Sequence, residues 1–523
     1  MKKWLLALLS GVLLSLPWLV PHTGFVALFA LVPLLLSEKL ARESSMKGYF
    51  FCHYSAFVLW NALTTFWVCN ATVGGGIFAI LANAFQMSLV FEVFRFSRKR
   101  LSGVLPYLLL AFLWLTWEHF YFYVQISWPW LTFGNAFAGS TRMVQWYEFT
   151  GTMGGSLWVW ACNLLIFGIV SGAVKEMARP AAKLSFLAAT LLCLIFPPLL
   201  SLHIFHHYEE KCEGTVSVVA GQPNLDPYSK FESMSQSEQD VVLLKVFDEA
   251  CKGRSKDDTI LFLAPETFTS PLIIGSEESS VSVSHFKRWL AEFHPSSRIL
   301  FGATSYELYA THRRPHPLAR GRDGSWHVSH NSAVMLDTAG VREIFHKSKL
   351  VVGTELTPYP AVFVPLDEKL GGVMGRCVGQ EKITLLHAGE VPVGCAVCYE
   401  SIYPEYCTGY VREGAGLMAV ITNDAWWGNT PGYRQHLNYS RLRAIELRRD
   451  IARCANTGIS AIIDQRGEIL QRSAWWEEAS ISGTLNLNYA QTVFARYGDF
   501  TGRACVFAAV LLLLLLLVRK FSR

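Results

Sequence analysis

Cys398 closes a run of small and β-branched residues, Val391-Pro392-Val393-Gly394-Cys395-Ala396-Val397, that leads through Tyr399 and Glu400 into a helix-like stretch. This pattern predicts a buried strand ending in a sharp strand-to-helix turn. Such a turn exposes the side chain at its apex, and the amides opening the next helix favour an anion forming beside it. The chemistry on offer is nucleophilic attack by a thiol. Taken alone, a cysteine here reads more readily as a small core residue, because free cysteine is commonly buried. Two other polar residues alter that balance. Glu266 follows the strand-like run 257–263 through Ala264-Pro265, and Lys347 follows the run 341–345. Strand ends on one edge of a sheet converge, so a carboxylate, an ammonium and a thiol are expected in one place.

The elements that must hold them fall into two populations. The chain of 523 residues is 51% hydrophobic, 13% aromatic and only 17% charged, which points away from an ordinary soluble protein. Long apolar runs fill residues 1–205, residues 206–503 read as a soluble α/β domain, and 504–523 are apolar again. A net charge of +5 is small for this length and gives no reason to expect a nucleic-acid partner. A span needs about 20 apolar residues. Eight candidates occur, near 4–20, 23–37, 48–69, 74–94, 104–124, 151–173, 184–204 and 504–518. The first lacks a small-x-small cleavage site and carries Pro17-Trp18 where one is expected, so it reads as an uncleaved anchor. With Lys2 and Lys3 inside, the inner loops carry Lys39, Arg42 and Lys47, then Arg95, Arg98, Lys99 and Arg100, then Lys175, Arg179 and Lys183. Arg519, Lys520 and Arg523 follow the last span, and among the short outer loops only Arg142 is basic. By the positive-inside rule the α/β domain falls outside the cytoplasm.

Within the membrane half, Glu92 lies near a span end and Glu118 inside a span, between Trp117 and His119. An intramembrane carboxylate is a functional candidate by default, and a residue at the wet end of a tilted span otherwise. His53, Asn61 and Asn163 suit helix–helix hydrogen bonds. The segment 125–150, with Trp128, Pro129, Trp130 and Phe133, is too interrupted for a span and too apolar for a free loop. It reads either as an interfacial aromatic belt or as a re-entrant segment lining a path for lipid.

The outer domain begins within a few residues of the seventh span. Strands are expected at 215–220, 257–263, 298–304, 332–336, 341–345, 391–398, 417–423, 459–464 and 481–487, with helices at 235–252 and 433–451. Strands alternating with helices, plus hairpin-like pairs, predict a layered α/β sandwich. Seven of the 12 cysteines lie here, an odd number that leaves at least one thiol unpaired. Cys395 and Cys398 spell C-x-x-C, but Cys395 falls back within the strand, which disfavours a redox pair. No second Cys or His pair has zinc spacing, and no metal or other cofactor is expected.

Several segments together resemble the nitrilase superfamily, whose αββα sandwich carries a Glu–Lys–Cys triad. Ala264-Pro265-Glu266 is similar to its glutamate segment, and Phe345-His346-Lys347-Ser348-Lys349-Leu350-Val351 to its lysine segment. Cys398-Tyr399-Glu400 is similar to its nucleophile segment, and Asn423-Asp424-Ala425-Trp426-Trp427-Gly428 to the run after it. Gln435-His436, Arg441, Arg443-Ala444, Glu446 and Asn456-Thr457-Gly458 extend the likeness. Such a domain set between spans seven and eight resembles the membrane-embedded branch, the apolipoprotein N-acyltransferases, across essentially the whole chain. Trp128-Pro129-Trp130-Leu131 and Gln145 belong to that likeness. Two departures stand out: Val352-Gly353-Thr354-Glu355 keeps only the glutamate of the usual P-F-G-E, and Phe345 replaces a tyrosine. Lys349 lies two positions from Lys347 on the same strand face, and spacing to Leu350-Val351 favours Lys347.

The resemblance implies a bacterial inner-membrane enzyme with its catalytic domain on the periplasmic side. It implies a phospholipid as acyl donor and a diacylglyceryl apolipoprotein as acceptor. Cys398 would take the acyl chain as a thioester, with Glu266 as base, since a free thiol near pKa ~8.5 is mostly protonated at neutral pH. Lys347 and the Tyr399 backbone N–H would face the oxyanion, one such donor being worth ~3 kcal/mol. Glu355 and Glu400 would position Lys347, unless they are structural ion pairs. Trp426 would wall a dry substrate pocket, unless it simply fills a core. A membrane-anchored amidase and a non-enzymatic lipid-binding protein are the competing expectations.

Overall fold

The structure, a computed structural model, describes residues 1–521 apart from 178, 228, 229, 231, 232 and 323. The chain divides into two compact units, one of residues 1–208, 429–442 and 497–523, the other of 209–428 and 443–496.

The first unit is helical. Among the described residues six helices are long and apolar enough to cross a membrane: Lys2–Leu19, Gly24–Glu43, Val73–Ser97, Tyr147–Val170, Pro180–His207 and Phe500–Lys520. The third and fifth expected spans are the helices Tyr49–Thr65 and Leu105–Tyr121, of 17 residues each. At 1.5 Å per residue each is about 26 Å long. Polar side chains inside this unit are spent on helix–helix bonds, as expected. Asn163 donates to the Ala27 carbonyl at 2.8 Å and accepts from the Leu31 N–H at 2.7 Å. Asn83 donates to Asn61 at 2.7 Å, and His53 pairs with Glu92 at 2.8 Å.

The segment 125–150 is neither a belt nor a surface loop. It forms three short 3-10 turns, Pro129–Leu131, Phe133–Phe137 and Thr141–Met143, packed into this unit's core. Phe133 is stacked against Trp114 and Trp60, with ring centroids 5.0 and 5.3 Å apart. A backbone buried in this irregular form must have its amides satisfied. Glu118 supplies one partner, accepting from the Phe133 N–H at 2.8 Å and from Trp114 Nε1 at 3.1 Å. That bond makes Glu118 a clamp on the turn. Nearby, His119 bonds Asp499 at 2.6 Å and so ties the helix Leu105–Tyr121 to the start of the last helix.

The second unit is an α/β sandwich. Its strands are β1 (Thr215–Gln222), β2 (Ile260–Leu263), β3 (Thr269–Ile273), β4 (Arg298–Tyr309), β5 (Arg320–Arg322), β6 (Ser325–Asp337), β7 (Gly340–His346), β8 (Leu386–Ala388), β9 (Val391–Val397), β10 (Leu417–Thr422), β11 (Ile451–Ala455), β12 (Ala461–Ile463), β13 (Ile469–Arg472) and β14 (Ala479–Asn486). One sheet runs β14-β1-β2-β4-β6-β5, with β3 on β4 and β7 on β6; the other runs β13-β12-β11-β10-β9-β8. The central strands β1, β2 and β4 are parallel, as are β9, β10 and β11. Parallel strands covered on both faces read as continuous apolar runs, and Leu417–Thr422 is buried throughout. The helices Gln236–Ala250 and Val281–Phe293 cover the first sheet through Leu243, Phe247, Phe286 and Trp289, packed on Phe262, Ile299 and Phe301. Between the sheets, the Cys454 thiol donates to the Gly221 and Leu263 carbonyls, each at 3.2 Å. Among the described residues no disulfide joins any of the twelve cysteines.

The helix expected over 433–451 is shorter. It spans Pro431–Leu447, Arg448 takes a φ of +49°, and Ile451 opens β11. Nothing in Glu446-Leu447-Arg448-Arg449-Asp450-Ile451-Ala452-Arg453-Cys454-Ala455 breaks a helix by propensity. Pairing with β10 across a fully buried parallel ladder overrides that weak preference.

One close approach fixes the glutamate strand end. A Cβ on Gly302 of β4 would lie 2.5 Å from Glu266 Cα and 2.5 Å from the Pro265 carbonyl oxygen. Both are backbone atoms, so they can yield only by moving Glu266. Gly302→Ala is expected to destabilise the protein by about 1–3 kcal/mol and to lose activity beyond that loss of fold. Urea melts beside activity normalised to folded protein check this.

Candidate active site

Glu266 lies three residues past β2, Lys347 one past β7, and Cys398 one past β9. All three side chains are buried. Lys347 Nζ donates to Glu266 Oε1 at 2.9 Å and to Glu355 Oε1 at 2.9 Å. Asn331 Nδ2, from β6, donates to the same two carboxylates at 2.8 and 2.6 Å. The second oxygen of Glu266 accepts from the Asn423 N–H at 3.1 Å, just past β10. The second oxygen of Glu355 accepts from the Val351 N–H at 2.7 Å. Four strand ends thus supply one polar cluster.

Its electrostatics follow from burial and charge. Burial disfavours the Lys347 ammonium, but the carboxylates of Glu266 and Glu355 outweigh it and hold the lysine well above its usual range. The Cys398 thiol is pushed well up, first by burial, then by the charges of Glu266 and Asp424, with Lys347 and the Thr422 hydroxyl opposing. The thiol therefore sits protonated within the field of both Glu266 and Lys347. Lys349 is elsewhere, its ammonium over the rings of Tyr403 and Tyr406 at 5.2 and 5.6 Å.

Cys398 has a φ of +50° at the head of the 3-10 turn Cys398–Ile402. A non-glycine residue there is strained by about 1–3 kcal/mol and persists only when its surroundings over-determine it. Glu400 is the main constraint. Its Oε2 accepts from the Val397 N–H at 2.8 Å, while its Oε1 accepts from Ser348 and Lys349 N–H at 2.7 and 3.2 Å. Glu400 therefore does not touch the Lys347 ammonium. It binds the backbone after Lys347 to the backbone before Cys398. Ser401 Oγ adds a bond to the Cys398 carbonyl at 2.8 Å.

Burial pushes the Glu400 carboxyl up to about 7, against the backbone bonds that lower it. From an ordinary value of 4.5, the native group holds its proton to higher pH than the unfolded chain does. Its contribution to stability is full below about 4.5 and is lost as pH rises through 7, by about 3 kcal/mol in all. Wild type is expected to lose stability relative to Glu400→Gln between pH 5 and 8, as read by parallel denaturant melts. Parallel curves across that range would contradict it.

Of the other expected residues, Glu355 is bonded to Lys347, and Tyr399 is buried in the turn with its ring 5.3 Å from Tyr403. Trp426 is 37% exposed, in the turn Asp424–Trp427 after β10. Asn331 escaped the sequence reading. An asparagine at the edge of an apolar strand run looks like any outward-facing residue, and only the adjacency of β6 to β7 gives it a role. Asp424 was noted as part of a motif without a role. It is buried against Arg453 at 2.6 Å and accepts from Thr422 at 2.8 Å, which anchors the turn carrying Asn423.

A model for the N-terminal domain of apolipoprotein N-acyltransferases matches residues 10–165, and one for carbon-nitrogen hydrolases matches 311–494. The apolipoprotein N-acyltransferase of Chlorobaculum tepidum is 29% identical over 533 residues, covering 99% of this chain and 97% of its own. That of Geobacter metallireducens is 28% identical, covering 99% and 96%. The chain is thus similar to apolipoprotein N-acyltransferases over nearly its whole length, and to carbon-nitrogen hydrolases over residues 311–494. Among solved structures, Saccharomyces cerevisiae Nit3 of the nitrilase superfamily covers 56% of this chain and 97% of its own, at 18% identity and a TM-score of 0.38. In this apolipoprotein N-acyltransferase homologue the hydrolase match takes in Lys347 and Cys398, while Glu266 lies before its first residue. The hydrogen bonds from Lys347 and from the Asn423 N–H are what tie Glu266 to that matched segment.

Proposed function

We propose that this protein transfers a fatty acyl chain from a membrane phospholipid to the N-terminal amine of S-diacylglyceryl cysteine in apolipoproteins. The observation that carries this reading is a buried Glu266–Lys347–Cys398 cluster in a chain that also has six helices of membrane-crossing length. Cys398 Sγ attacks the phospholipid ester carbonyl and Glu266 takes its proton. The ester C–O bond breaks, and Glu266 returns the proton to the departing lysophospholipid oxygen. The acyl chain is left on sulfur. The acceptor amine then attacks the thioester, its proton passes through Glu266, and the C–S bond breaks to restore the thiol. An α-amine with pKa about 8 has a useful neutral fraction at pH 7.

Both tetrahedral intermediates carry an oxyanion. The Lys347 ammonium has three donors and two are committed to Glu266 and Glu355, so one remains for that oxygen. The Tyr399 N–H, at the start of the turn, is the second candidate donor. Glu355 and Asn331 act as positioning residues, fixing the ammonium against Glu266. Glu400 positions the two backbones, and Trp426 is assigned to the substrate wall.

The chain crosses the membrane eight times in this reading, with the helices Tyr49–Thr65 and Leu105–Tyr121 as the third and fifth spans. The basic loops lie in the cytoplasm of a bacterial inner membrane and the α/β unit on the periplasmic side. Incubating the full-length protein in phospholipid micelles with an S-diacylglyceryl cysteine peptide tests the function. Expected is a peptide heavier by one acyl chain, with one lysophospholipid formed per product. Release of free fatty acid or ammonia without acylated peptide would indicate a hydrolase instead, and no turnover at all would indicate a lipid-binding protein.

A further inference from the structure

On the first sheet, Ser305 of β4 is paired with His330 of β6, and Ser332 of β6 with His346 of β7. Directly paired residues share a face, and so do residues two apart along a strand. Glu307, His330, Ser332 and His346 therefore lie on one face of three adjacent strands. Ligating atoms of Glu307, His330 and His346 all fall within 4.8 Å of one another. The two imidazoles are stacked, with centroids 4.1 Å apart and planes inclined by 21°.

The hydrogen bonds select the atoms that face inward. His330 Nδ1 lies 2.6 Å from the Val378 carbonyl, which accepts only, so this nitrogen carries the proton. Its Nε2 is buried, without a hydrogen-bond partner, and 3.5 Å from Glu307 Oε1. With Nε2 unprotonated, its lone pair faces a carboxylate oxygen, and two acceptors in that position call for a cation. His346 Nδ1 lies 2.7 Å from Ser332 Oγ, itself 2.6 Å from Ser305 Oγ. With that chain accepting the Nδ1 proton of His346, its Nε2 is left for a ligand too. The Tyr309 hydroxyl donates to Glu307 Oε2, which leaves Oε1 for an ion. Ring N–H groups bonded to a carbonyl and to a hydroxyl are what orient metal-ligating histidines.

We propose that Glu307, His330 and His346 form a three-ligand site for a divalent transition ion, Zn2+, with its fourth position open to water. Two imidazoles and one carboxylate suit that ion, at bond lengths near ~2.0–2.2 Å. The ligands come from three strands, so no local spacing in the sequence announces them. Asn331 and Lys347 follow His330 and His346 directly in the chain, and the Lys347 N–H bonds the Asn331 carbonyl at 2.8 Å. The ion thus staples the strands immediately behind the residues that hold the Glu266 carboxylate.

The test uses the full-length protein in detergent, stripped of metal and dialysed against buffered ZnCl2, with CoCl2 as the spectroscopic probe. His203 and His207 stack at 4.2 Å near the end of the helix Pro180–His207 and can bind metal themselves, so both are replaced by Gln in the parent. The parent is expected to retain one equivalent of Zn2+ and to give the intense visible bands of four-coordinate Co2+. Glu307→Gln/His346→Gln is expected to lose both, and Ser332→Ala to weaken binding about tenfold or more. Glu307 and His346 are only part-buried, so their amide replacements keep the fold, which a metal-free melt verifies. Glu307→Gln alone is expected to lower affinity at least tenfold. A parent that retains no ion, or a double variant with unchanged stoichiometry and Co2+ spectrum, overturns the proposal.

Discussion

Replacing Cys398 with alanine is expected to lower acyl transfer by at least about 10⁴-fold, because the route then has no group to carry the chain between donor and acceptor. The fold should survive. The thiol is small and buried, and the strained turn is held through the backbone by Glu400 and Ser401. Removing the side chain leaves those bonds in place, so melting should change little while turnover disappears. Cys398→Ser is the sharper comparison. A hydroxyl in the same field, pushed up by the same burial and by the Glu266 charge, is far harder to ionise than a thiol. Its turnover is expected to be lost as completely as in the alanine variant. Steady-state transfer with each variant measures this, and either one retaining more than a hundredth of wild-type activity would remove Cys398 from the chemistry.

Lys347→Met is expected to fail in both respects at once. The ammonium is buried and bonded to Glu266 and Glu355, and Asn331 alone would then stand between those two carboxylates. Breaking a buried pair by removing one partner costs about 3–5 kcal/mol, and one of the acids must take up a proton to remain inside. Loss of the oxyanion donor costs a further ~10²–10³ in rate. The prediction is a large fall in melting temperature together with a fall of at least about 10²-fold in transfer measured on the folded fraction. The pH profile offers a second reading of the same residue. The native lysine holds its proton well above the ordinary range. Its stabilising charge is full below the unfolded value of about 10.4 and is lost only above that, as pH rises through the native value. Wild-type activity should therefore show no lysine deprotonation on the alkaline side near neutrality. A Met variant within tenfold of wild type would contradict the assignment.

The parts legible in the sequence share one physical cause. Apolar runs that end in a polar residue mark Glu266, Lys347 and Cys398 as strand ends, the first two on one sheet and Cys398 on the other. What stayed hidden depends on which strands become neighbours. Asn331 bonds two carboxylates only because β6 lies beside β7, and Glu307, His330 and His346 share a face only through that pairing together with the pairing of β4 and β6. Glu400 could be picked out, but its target could not. Its carboxylate binds backbone amides, which have no signature in the sequence. The helix expected over 433–451 runs into Ile451, the first residue of the strand Ile451–Ala455, because residues there favour neither state strongly and burial beside β10 decides. Residues 125–150 show a different limit. Their aromatic density suits an interfacial belt and a re-entrant segment alike, and the stacking of Phe133 on Trp114 and on Trp60 inside the helical unit removes the belt.

The most direct test of the central claim is the mass of the intact protein after exposure to phospholipid without an acceptor. The account predicts a gain of one fatty acyl chain on Cys398, released by neutral hydroxylamine as a thioester should be and discharged by adding the S-diacylglyceryl peptide. An unmodified mass while acyl transfer proceeds, or the same adduct on the Cys398→Ala protein, would contradict it.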